Sequence, residues 1–110
     1  MGLRQERLAD EVRDVLANCF LGGKLSDPRL ESVTITAVKL SADLQIAYVY
    51  YRVYDDSQVD AAQKGLESAS GFLKREVSKS LELRRIPDLK FFFDKSVEHA
   101  SKIEEMLNKL

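Results

Sequence analysis

Residues 45–54 alternate with a period of two: Ala47, Val49, Tyr51 and Val53 fall on one side, Ile46, Tyr48, Tyr50, Arg52 and Tyr54 on the other. Such a pattern is a β-strand with one face to bury. A lone strand pair is marginal in water, so that face needs further strands and a cover. Residues 34–40, rich in β-branched side chains, supply a second strand, and the short Ser41-Ala42-Asp43-Leu44 link joins the two as a hairpin. Residues 89–93 supply a third after the turn Ile86-Pro87-Asp88, with Leu89, Phe91 and Phe93 on one side and Lys90 and Phe92 on the other.

The cover comes from helices. Leu8, Val12, Val15, Leu16, Cys19 and Phe20 make a one-faced stripe on a helix over residues 4–21, ended by Gly22-Gly23. The loop Ser26-Asp27-Pro28-Arg29 follows. The polar turn Asp55-Asp56-Ser57 starts a second helical run over residues 59–83, with Ser57 as N-cap and Asp60 three residues on. Its inner face is Val59, Ala62, Leu66 and Ala69, then Leu73, Val77 and Leu81. Between these halves stands Ala69-Ser70-Gly71, small residues that predict a break or kink. Asp94 or Ser96 caps a last helix with the stripe Ala100, Ile103, Leu107 and Leu110. The reading is a single α+β domain spanning residues 1–110, a three-stranded sheet with helices on one face.

Charge narrows the function. The total of −1 over 110 residues is no argument for a nucleic-acid partner, but its distribution is uneven. Residues 53–71 carry a net −3; residues 72–95 carry seven basic groups against four acidic ones, a net +3. Lys74, Arg75, Lys79, Arg84 and Arg85 therefore form a local basic stretch, the best candidates for phosphate contacts, and Arg29 is added from the earlier loop. The bland reading of the stretch is a solvated helix face partnered by Glu76 and Glu82. Tyr48, Tyr50 and Arg52 could stack unpaired bases, although cross-strand packing is the favoured account of the tyrosines.

Catalysis finds no support. His99 is the only histidine and has no cysteine or second histidine to complete a metal site. Cys19 is the only cysteine; it lies on an apolar stripe and has no base near it in sequence. No phosphate-binding glycine loop, dinucleotide fingerprint or zinc pattern is present. No apolar run reaches spanning length and no signal-peptide pattern opens the chain, so a reducing cytoplasm is the expected compartment.

These pieces resemble the ribosome-binding factor A family from about residue 7 to 107. The resemblance is carried by Asp27-Pro28-Arg29-Leu30, residues 33–38, Ser41, Asp43-Leu44, Ala47 and Val49. It continues in Ala69-Ser70-Gly71-Phe72, Arg85-Ile86-Pro87-Asp88-Leu89, Phe91 and Asp94. It implies a type II KH-like fold in which an Ala-x-Gly kink, here Ala69-Ser70-Gly71, replaces the Gly-x-x-Gly clamp of ordinary KH domains. It also implies a non-catalytic, cytoplasmic assembly factor without cofactor. Such a factor binds the immature small ribosomal subunit and its rRNA, assists late rRNA maturation including the 5′ region, and is linked to growth in the cold. A monomer with no membrane or small-molecule partner is expected. The alternative is a small α/β protein-interaction module without direct RNA contact.

Overall fold

The computed structural model describes residues 2–21 and 25–95. The Gly22-Gly23 cap, the last helix with its stripe, and His99 lie outside them. Helix α1 (Gly2–Leu21) buries the expected stripe, with Val12, Leu16 and Cys19 sealed from solvent and Ala9 added to it. A 3-10 turn, Pro28–Leu30, comes next. Pro28 presets its first position, Asp27 accepts the Arg29 N–H at 3.0 Å, and Leu30 drops into the core.

Strands β1 (Thr34–Leu40), β2 (Ile46–Arg52) and β3 (Asp88–Phe93) form one sheet in that order. β1 and β2 are antiparallel; β2 and β3 are parallel. Ala47, Val49 and Tyr51 are fully buried, so the alternation read from the sequence is the one the sheet uses. β1 carries a bulge. Its register passes from Ile35 opposite Tyr51 to Ala37 opposite Tyr50, leaving Thr36 extra. Thr36 Oγ1 donates to Asp94 Oδ2 at 2.6 Å, and the Asp94 N–H donates to the Tyr51 carbonyl at 2.7 Å. The far end of β3 is thereby tied across β2 to β1.

A parallel pair cannot be closed by a tight turn, and α2 (Val59–Leu81) makes the crossover. Both α1 and α2 pack on the side of the sheet that holds the core, which is the α+β architecture expected. Its start differs from expectation. Asp55, not Ser57, is the capping side chain: it caps the 3-10 turn Asp56–Gln58, and Gln58 returns the bond in a capping box. The expected break does not occur. One α-helix runs through Ala69-Ser70-Gly71 without interruption. The two halves of the apolar stripe are in phase, because Leu66, Ala69 and Leu73 follow at i+3 and i+7. A single helix therefore buries them all. Ser70 Oγ donates to the Glu67 carbonyl at 2.8 Å, a local bond the helix absorbs. Gly71 is exposed, and a Cβ there would meet only the Arg75 guanidinium at 4.0 Å.

The glycine with a packing role is Gly65. A Cβ on it would lie 3.0 Å from Leu30 Cδ2 and 3.3 Å from Arg29 Cβ. It is the bare patch of α2 on which the Pro28–Leu30 turn rests. Tyr51 and Gln63 tie α2 to the sheet from inside: the buried Tyr51 hydroxyl donates to Gln63 Oε1 at 2.6 Å, and Gln63 Nε2 donates to the Phe91 carbonyl at 3.0 Å. Burial raises the Tyr51 phenol pKa, and the Asp60 and Glu67 charges push it further up.

The two glycines of α2 should respond in opposite ways in urea unfolding. Gly71→Ala should gain about 1 kcal/mol from helix propensity. Gly65→Leu must displace Leu30 and should lose about 1–3 kcal/mol through overpacking.

Candidate nucleic-acid interface

The basic stretch begins in the second half of α2 and runs into the loop leading to β3. α2 ends at Glu82, which takes a left-handed conformation (φ 50°) and donates its N–H to the Ser78 carbonyl at 3.0 Å. Glycine favours such a cap; a glutamate there holds strain of about 1 kcal/mol. The reversal turns Leu83, Arg84 and Arg85 back toward the start of β3. Opposite them the β1–β2 hairpin closes with a Ser41–Leu44 turn, whose last residue, Leu44, is also left-handed (φ 60°). Glu82 and Leu44 are the two non-glycine residues with positive φ among the described residues. Leu44 lines one groove with Leu83, the residue that follows Glu82.

That groove has a volume of about 600 Å³. Lys74, Arg84 and Arg85 line it, with Leu8, Leu44, Leu83 and Ile86 as its apolar parts and Asp43 and Asp88 as its acids. The Lys74 ammonium donates to Asp88 Oδ1 at 2.6 Å, and this bond holds the Asp88 carboxyl below its ordinary pKa. Asp43 accepts from Ser41 Oγ at 2.7 Å and from the Gln45 N–H at 3.1 Å, which depresses its pKa as well. Both acids are thus engaged, whereas Arg84 and Arg85 are exposed with no acidic partner in ion-pair range among the described residues. The guanidiniums are the groove's available cations, and they suit bidentate binding of phosphate.

Arg75 and Lys79 do not line the groove. They stand exposed on the outer side of α2, where Lys79 also complements the helix dipole in the last turn. Arg29 stands apart from all five. It sits in the Pro28–Leu30 turn beside Gly65, roughly 14 Å along the helix from Lys74. Its Nε and Nη2 clasp both oxygens of Asp27 at 2.6–3.0 Å. That clasp lowers the Asp27 pKa and raises that of Arg29, so the turn is largely self-neutralised. Ala69, Ser70 and Gly71 contribute no cation; they are part of the helix wall. Sequence reading missed Leu44 and Leu83 as groove residues. Neither carries a residue-type signal, since their place depends on two left-handed turns usually marked by glycine or asparagine. No described helix is long and apolar enough to cross a membrane, and no group of metal-ligating side chains forms among the described residues.

The chain as a whole is similar to known proteins. The sequence profile described as ribosome-binding factor A matches residues 4–107. The Streptococcus mutans protein of that name is 44% identical over 109 residues, covering 97% of this chain and 93% of the relative. The crystal structure of ribosome-binding factor A from Thermus thermophilus superposes with a TM-score of 0.75 at 27% identity. The match covers 84% of this chain and 97% of that one. A homology model of the Thermus thermophilus factor, as fitted into the cryo-EM map of its 30S complex, gives a TM-score of 0.69, also at 27% identity, over 83% and 96% of the two chains.

The carboxylates offer a direct check on this geometry. In a carboxyl-carbon NMR titration, Asp27, Asp43 and Asp88 should each protonate below the ordinary value of 3.8. A depressed carboxylate stabilises the fold above its unfolded pKa and loses that contribution as pH falls through the folded one. Lys74→Met should return Asp88 toward 3.8 and leave Asp27 where it was.

Proposed function

The chain belongs to the ribosome-binding factor A family, and on that premise we propose that it is a non-catalytic assembly factor. In this reading it binds the immature small ribosomal subunit through its rRNA. It assists late maturation of that RNA, the 5′ region included, acting as a cytoplasmic monomer without cofactor. The single observation that carries the RNA contact is the groove: Lys74, Arg84 and Arg85 meet there, and the acids beside them are already hydrogen-bonded. Arg75 and Lys79 extend the cationic surface along α2.

Mechanistically the chain would act by shape and charge. Guanidiniums in the groove pin phosphates of the maturing RNA, and the rigid helix sets the distance between those contacts and the Arg75–Lys79 edge. Arg29 has a separate role, keeping the Asp27–Leu30 turn folded on Gly65. The 30S complex of the Thermus thermophilus factor supports a small-subunit partner for the family.

Co-sedimentation with small subunits over a salt series tests the proposal. Affinity should fall steeply with salt, because each phosphate contact releases counterions. Arg84→Gln with Arg85→Gln should weaken binding and flatten the slope of log K against log salt by about 1 per side chain removed. Unchanged affinity and slope in a folded double variant would shift docking to a protein-contacting surface.

A further inference from the structure

The outward face of the sheet is set by the register. It presents Thr34, Ala37 and Lys39 from β1, Ile46, Tyr48, Tyr50 and Arg52 from β2, and Asp88, Lys90 and Phe92 from β3. One cross-strand row reads Lys39–Tyr48–Lys90, the next Ala37–Tyr50–Phe92. The Phe92 ring lies 6.0 Å from that of Tyr48 and 5.9 Å from that of Tyr50, tilted in both cases. Lys39 Nζ is 5.7 Å from the Tyr50 ring centre. Phe92 remains 42% exposed.

Cross-strand packing explains why these rings touch. It does not explain their setting. Three aromatic rings are flanked by three cations, Lys39, Lys90 and Arg52, on a chain of net charge −1. The two carboxylates at the margins are occupied, Asp88 by Lys74 and Asp94 by Thr36. Two of the three cations are lysines, Lys39 and Lys90, which protein–protein interfaces disfavour. Flat π-surfaces spaced by cations complement planar groups joined by anions.

We propose that this face binds single-stranded RNA, with unpaired bases stacking on Phe92 and the Tyr48–Tyr50 pair and neighbouring phosphates held by Lys39, Lys90 and Arg52. It lies on the opposite side of the sheet from α1 and α2 and stands independently of the groove reading. A factor with both surfaces could hold structured RNA at one and an unpaired segment at the other.

The chain has no tryptophan, and two of its four tyrosines, Tyr48 and Tyr50, lie on the face, so part of its own emission reports on binding there. Titration of the full chain with a twelve-nucleotide oligouridine or oligoadenosine should quench tyrosine fluorescence. An RNA duplex of equal length should compete at least about tenfold less well, since its bases are already stacked. Phe92→Leu keeps apolar bulk and removes the stacking surface; affinity should fall by about fivefold to a hundredfold. Lys39→Gln with Lys90→Gln, both at exposed positions, should flatten the salt slope by about 1.4 and serves if Phe92→Leu lowers thermal stability. Wild-type affinity in either folded variant overturns the proposal, as does a lack of quenching. Self-association that Phe92→Leu abolishes would assign the face to a second copy of the chain and overturn it equally.

Discussion

The parallel pairing of β3 with β2 is the constraint from which the rest follows. A strand that must re-enter beside its predecessor in the same direction needs a return path along the sheet, and α2 is that path. Its 23 residues span about 34 Å, whereas a seven-residue strand covers about 23 Å. The helix is longer than the sheet it crosses. Its C-terminal turns therefore reach the end of the sheet where the β1–β2 hairpin and the start of β3 lie, and the groove forms between them. Tyr51 and Gln63 fix the crossing from inside, joining the middle strand, the helix and the edge strand through two short hydrogen bonds.

Charge follows the same axis. The first half of α2 and the turn before it are acidic, and the second half with its following loop is basic. An acidic N-terminus and a basic C-terminus complement the helix dipole, so the segregation that exposes cations at one end also favours the helix carrying them. A nearly neutral protein thereby presents a positive end without the self-repulsion of a strongly basic one.

The parts of the fold that depend on one element's own periodicity were legible in the residues. The β2 alternation, the α1 stripe and the basic run after Gly71 all stand where the pattern puts them. The parts that depend on two elements meeting were not. Gly71 drew attention because it ends a cluster of small residues, yet it faces open solvent. Gly65 has undistinguished neighbours in sequence, yet it is the point where a turn thirty-five residues earlier rests on the helix. The expectation of a break overlooked that Leu66, Ala69 and Leu73 keep helical phase. Likewise the basic residues formed one group in sequence, but the structure sorts them into a groove, an outer helix edge and, for Arg29, a self-paired turn. Left-handed backbone at Leu44 and Glu82, invisible in residue type, does that sorting.

The bulge at Thr36 has a mechanical consequence. Its hydroxyl, with the Asp94 amide, laces all three strands together at one end of the sheet. The opposite end is closed too: the Ser41 N–H donates to the Ile46 carbonyl at 2.9 Å, the Asp88 N–H to the Gln45 carbonyl at 2.8 Å, and Lys74 bonds Asp88 from the helix. The sheet is therefore clamped at both ends, once through a side chain of the bulge and once through the hairpin. Loosening one clamp leaves the other to hold the strand order, so a change at Thr36 should fray one margin of the sheet without releasing the walls of the groove.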